Sequence, residues 1–181
     1  MKPGTGLAVP AGCIRGLLKN TIFVLILIAS IASATTIKKF TDEELRSKAS
    51  SVVLARVAKV QYETHSGQAW TIVTLQIEKT LKGDSNSFIQ FRIPGGMQSV
   101  DGRTLVTRVD GVPDIKNRER GVFFLESLPP AYPGLYGWDQ GFYRIVEKNG
   151  QEYAVRSDGT QKARKIEDFL KDFQKESRRG R

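Results

Sequence analysis

The chain has 181 residues, 40% hydrophobic and 26% charged, room for one domain with an appendage but not for two full domains. That balance, with 17 Gly and 7 Pro, excludes a disordered, collagen-like or multi-span membrane chain. Lys and Arg number 28 against 19 Asp and Glu, a net charge of +9, and a single His and a single Cys leave little with which to build a metal site or a disulfide framework.

Lys2, Arg15 and Lys19 precede an uncharged stretch, 20–37, whose apolar heart is 21–29. A basic segment followed by a short apolar one has the form of a secretory signal, and Ala32-Ser-Ala34 supplies the small residues that a signal peptidase needs at −3 and −1. Cleavage is predicted after Ala34. The 14 residues 21–34 fall short of the roughly 20 that a spanning helix needs, which disfavours the alternative of an uncleaved anchor. Cys13 lies upstream of the apolar segment, whereas a lipid-accepting cysteine would follow it. Cleavage removes three basic residues and no acidic one, taking the charge from +9 to +6 and leaving a mature chain without cysteine. Such a chain, periplasmic or secreted, is stabilised by its core alone, and its expected membrane contact is the transient one of the signal segment.

Thr41-Asp-Glu-Glu44 has the form of a capping box, with Phe40 and Leu45 at the spacing of a hydrophobic staple, and predicts a short helix over 42–49. From Ser51 the period changes to that of a strand, 52–60, which His65-Ser-Gly-Gln68 breaks. A second strand follows over 70–81, with Val73, Leu75 and Ile77 on one face and Thr74, Gln76 and Glu78 on the other. A third carries Ile89, Phe91 and Ile93 and is stopped by Pro94-Gly-Gly96. Residues 97–119 are the least regular, with one short strand predicted over 104–109. Gly121-Val-Phe-Phe-Leu125 is a compact apolar run suited to a central strand, and 127–139 is a loop rich in Pro, Gly and aromatic residues. Strands over 142–147 and 151–156 flank Asn149-Gly150, a strong hairpin signal because both residues tolerate positive φ. Ile166, Phe169, Leu170 and Phe173 fall at i, i+3, i+4 and i+7 of a closing amphipathic helix, and 177–181 reads as a frayed basic tail. About six short strands with short connections predict a mainly β, antiparallel, closed or nearly closed barrel over 51–176, with no second core.

Three segments, Ser51-Val-Val-Leu-Ala-Arg-Val57, Val73-Thr-Leu-Gln-Ile-Glu-Lys-Thr-Leu-Lys-Gly83 and Arg118-Glu-Arg-Gly-Val-Phe-Phe-Leu125, resemble the opening strands of netrin-like domains related to the tissue inhibitors of metalloproteinases, and of exported bacterial proteins built on that pattern. The resemblance spans residues 50–126 and implies a five-stranded OB-type barrel with helices. It also raises the modulation of an exported metalloprotease. The family's inhibitors chelate the protease zinc through an N-terminal cysteine, which the mature chain lacks, so the zinc-capping wedge does not carry over.

No catalytic constellation emerges. A nucleophile needs an adjacent base, and the lone His65 sits in a turn, where a solvated surface residue is the expected reading. Asp101, Asp110 and Asp114 lack the spacing of a calcium loop, and Asp101-Gly102 and Asp110-Gly111 read as turns. There is no phosphate loop, so no cofactor is expected. OB barrels often bind single-stranded nucleic acid, but an exported chain argues against that partner, and Lys162, Arg164, Lys165, Arg178, Arg179 and Arg181 read as a solvated helix face and tail. The most distinctive stretch is 128–138, with Tyr132, Tyr136 and Trp138. It reads either as a lid over one end of the barrel or as a recognition loop. The expected function is an exported, non-catalytic binding module whose partner is a protein or envelope component. Modulation of an exported metalloprotease and an unrecognised small hydrolase are the alternatives.

Overall fold

The computed structural model describes residues 38–84, 86–127 and 133–179. Lys39–Arg181 form one compact unit, described below. The expected signal segment with Cys13, residues 128–132 with Tyr132, and the last two residues of the basic tail lie outside the described residues.

Thr41 caps helix α1 (Asp42–Lys48) by accepting the Glu44 amide at 3.1 Å, while the Glu44 carboxylate accepts the Thr41 amide at 3.0 Å. Phe40 and Leu45 join the same apolar cluster, as a staple requires. Strands β1 (Ser51–His65) and β2 (Gln68–Lys82) form a hairpin longer than the alternation predicts, because the exposed polar residues 61–65 stay paired out to the Ser66-Gly67 turn. Then come β3 (Phe88–Pro94), a separate hairpin β4 (Gly96–Val100) and β5 (Arg103–Thr107), β6 (Arg120–Glu126) and a two-residue β7 (Gly134–Leu135). A 3-10 turn (Trp138–Gly141), the hairpin β8 (Phe142–Lys148) and β9 (Gln151–Arg156), a short β10 (Arg164–Lys165) and helix α2 (Ile166–Arg179) complete the order. The tail expected from residue 177 is helical through Arg179.

β1 pairs with β2, β2 with β3, β3 with β7, β7 with β6, and β6 with β1, closing a five-stranded barrel of the OB type. The expectation that every pairing is antiparallel fails once, since β3 and β7 meet in parallel at Arg92 and Gly134. A closed ring with an odd number of strands cannot alternate direction all the way round, so one parallel contact is obligatory. Three register shifts in β1 bend it enough to serve both neighbours. β8 joins the same edge of β6 as β7 does, and Gly121 permits that approach: a Cβ there would run into the Phe142 ring and come within 2.7 Å of the Tyr143 carbonyl.

The expectation of a single core is overturned. Val53, Ala55 and Val57 of β1 and Phe123 and Leu125 of β6 point into the barrel with Val73, Leu75, Phe91 and Phe142. Their alternates Val52, Leu54, Val122 and Phe124 point outward, where Leu45, Phe169 and Phe173 of the two helices cover them. The unbroken run 121–125 is apolar because β6 is buried on both faces, which two-residue alternation cannot signal.

Candidate functional site

The β4–β5 hairpin stands apart from the barrel sheet, in a two-stranded sheet of its own. Its root is held where Thr71 Oγ1 donates to the Gly95 carbonyl at 2.9 Å and the Gly95 amide donates to Ala69 at 2.9 Å. Gly96 lets the root close on β1 and β2: a Cβ there would lie 2.7 Å from both Thr71 Oγ1 and the Tyr62 ring. The turn is Asp101-Gly102, both at positive φ, and all five residues of β5 are exposed.

Beneath this hairpin lies a cleft of about 460 Å³, within the usual range for small-ligand sites. Ile93, Pro113 and Ile115 form buried floor, while Tyr62, Met97 and Val106 line it and remain 44%, 40% and 60% exposed. Arg108, Asp110 and Asp114 bring charge to its wall. On the opposite face of the hairpin, Val100, Asp101, Arg103 and Leu105 line a second hollow. Met97, Leu105 and Val106, apolar and this exposed on one projection beside the Tyr62 ring of β1, have the character of an interaction surface.

The aromatic loop is divided. Leu135 is buried inside the barrel and forms part of its closing strand. Tyr136 packs over Phe40 with ring centroids 5.3 Å apart and donates its amide to the Phe124 carbonyl at 2.8 Å. Trp138 is 44% exposed and held at φ 53°, a conformation that costs an L-residue roughly 1–2 kcal/mol. The adjacent Asp139 amide donates to Gly111 of the cleft wall at 2.9 Å, tying the turn to the cleft. The structure thus separates Tyr136, in the outer cluster, from Trp138, at the surface. Trp70, the other tryptophan, lies under the Arg92 guanidinium at 4.8 Å.

The densest polar cluster serves architecture. Arg156, nearly wholly buried, donates to Gln140 Oε1 at 2.8 Å and the Phe40 carbonyl at 3.0 Å, and lies 3.8 Å from Asp42 and 3.4 Å from Asp158. The Tyr143 hydroxyl donates to Asp42 at 2.6 Å. Burial, reinforced by that carboxylate, pushes the Tyr143 phenol far up, so it stays protonated. Burial and the charge of Asp158 raise the Asp139 carboxyl above its ordinary range, against the Gln140 amide and Arg156, which lower it. Together these groups clamp the start of α1 to β8, β9 and the 3-10 turn. A second set, Arg120 between Glu78 at 2.6 Å and Glu152 at 2.5 Å, ties β6 to β2 and β9.

His65 is exposed at the end of β1. Asp101 and Asp110 stand in turns as the sequence predicts, and among the described residues no three His, Cys, Asp or Glu side chains converge as a cation site would require. No helix of the described residues is long and apolar enough to cross a membrane. Sequence reasoning missed the cleft and β4; the signal that could have found them is the pair Asp101-Gly102 between Met97-Gln-Ser-Val100 and Arg103-Thr-Leu-Val-Thr107, a hairpin by its turn alone. No protein-family model, curated protein or solved structure matches the chain.

Proposed function

We propose that the protein is an exported, non-catalytic binding module that recognises a protein or envelope component at the hairpin end of its barrel. The observation that carries this reading is the exposure of Met97 and Val106 beside Tyr62 of β1 around one cleft, with Leu105 exposed on the other face of a hairpin that the barrel does not need for closure. Export is inferred from the basic and apolar segments ending in Ala32-Ser-Ala34, and N-terminal sequencing of the exported protein, expected to begin at Thr35, checks it. The OB-type ring is compatible with the netrin-like resemblance, which supplies the rival reading of a protease modulator. Purified protein should capture a partner from culture supernatant or solubilised envelope, and Leu105→Asp or Val106→Asp should abolish capture while Lys162→Ala preserves it. Capture indifferent to both aspartates refutes the assignment of the surface. Inhibition across a protease panel, or turnover in a substrate panel, favours the alternatives.

A further inference from the structure

We propose that the outer edge of β5 takes up an extended, uncharged, largely apolar segment of a partner protein as an added strand. This deepens the binding reading above and rests on it. In a hairpin closed by the two-residue turn Asp101-Gly102, the flanking pair Val100 and Arg103 is hydrogen-bonded, so bonding alternates from there. Gln98 with Leu105 and Gly96 with Thr107 are bonded pairs; Ser99 with Thr104 and Met97 with Val106 are not. The amide and carbonyl of Thr104 and of Val106 therefore point away from β4. No described residue supplies them with a backbone partner. Two donors and two acceptors at the two-residue repeat of a strand are a template for another strand.

Strand addition uses main-chain bonds for affinity and alternating hollows for specificity. Both elements are present. A side chain opposite Val106 or Thr104 points to the same face as Val106, which lines the cleft with Met97 and Tyr62. Its neighbour points to the face of Leu105, toward the hollow lined by Val100 and Arg103. The charges around the edge select the composition: Arg103 and Arg108 flank it, Asp101 and Asp110 stand just beyond, Asp114 of the cleft wall pairs with Lys116 at 3.9 Å, and all six are exposed. Their sum is zero, so a charged segment gains nothing over a neutral one. A second copy of β5 would bring only polar Thr104 and β-branched Val106 to the cleft face and would leave the floor at Ile93 and Ile115 unfilled, whereas a partner chain can carry longer apolar side chains there.

The test uses a capped seven-residue peptide of alternating Thr and Ile with a fluorophore on a Gly-Ser tail, titrated into the protein by anisotropy. Thr104→Pro and Val106→Pro each delete one outward amide and no β4–β5 bond, so the hairpin survives. Each should weaken peptide binding at least tenfold, while Thr104→Ser stays within twofold. Hydrogen exchange on the unaltered protein gives a reading independent of the variants' folding: the Thr104 and Val106 amides should slow at least tenfold with peptide, and those of Met97 and Ser99 should not. Absence of saturable binding, equal binding by the proline variants, or unchanged exchange overturns the proposal. So does a concentration-dependent dimer that Thr104→Pro dissolves, which would assign the edge to a second copy. If partner capture survives Thr104→Pro but not Leu105→Asp, the surface reading stands and strand addition alone fails.

Discussion

Replacing Arg156 by Met tests the claim that one buried guanidinium holds the N-terminal helix on the barrel. The side chain is 2% exposed and lies between Asp42 and Asp158, with bonds to Gln140 and the Phe40 carbonyl. Asp42 keeps Arg164 at 3.6 Å, the Tyr143 hydroxyl and Gln161, so its charge stays compensated. Asp158, 10% exposed, loses the guanidinium and, among the described residues, keeps Thr160, while the Phe40 carbonyl loses the bond from Arg156. A stranded buried charge costs about 3–5 kcal/mol when its partner is removed. At about 2–4 °C per kcal/mol for a domain of this size, the melting temperature should fall by roughly 6–20 °C. Adding Asp158→Asn to Arg156→Met removes the stranded charge and should recover about 1–2 kcal/mol, since a neutral amide is far cheaper to bury than a carboxylate. Chemical denaturation of both variants measures these differences, and amide exchange across α1 should accelerate in the single variant first. A loss below about 1 kcal/mol, or no recovery in the double variant, would refute the reasoning.

Asp139 is raised in the folded chain, so its contribution to stability is fully present below its unfolded pKa of about 4 and is lost as pH rises through the folded value. Asp139→Asn should accordingly be more stable than the parent at pH 7, with the gap closing toward pH 4; urea melts at stepped pH check this, and a gap that widens on acidification contradicts it. Tyr136→Ala should cost about 2–3 kcal/mol, below the 3–5 of a fully buried ring, because its ring packs half-buried on Phe40. Trp138→Gly should cost less than Tyr136→Ala, because relief of the positive φ returns about 1 kcal/mol against the packing of a ring that is 44% exposed, and paired melts distinguish the two residues. Thermal melts with and without EDTA should coincide, since one His and no mature Cys offer no structural zinc site; a fall of several degrees would return the scattered aspartates as ligands.

Local signals in the sequence determine much of this protein. The capping box at Thr41 and Glu44, the Asn149-Gly150 turn, the alternation of Val73, Leu75 and Ile77, and the i, i+3, i+4, i+7 face of α2 each specify conformation or burial within a few residues, and each recurs in the structure. Tertiary structure alone decides the rest. β7 is two residues long, too short to carry a period, and is a strand only because β3 and β6 stand on either side of it. Whether 121–125 serves one core or two depends on helices that pack against it from distant parts of the chain. The cleft needs Tyr62 of β1, Ile93 of β3 and the 108–115 segment in one place, and Tyr136 and Trp138, two residues apart in sequence, part company only once Phe40 arrives from nearly a hundred residues upstream. Capping, turn geometry and periodicity are properties of neighbours along the chain, whereas closure, double-sided burial and exposure depend on which surfaces meet.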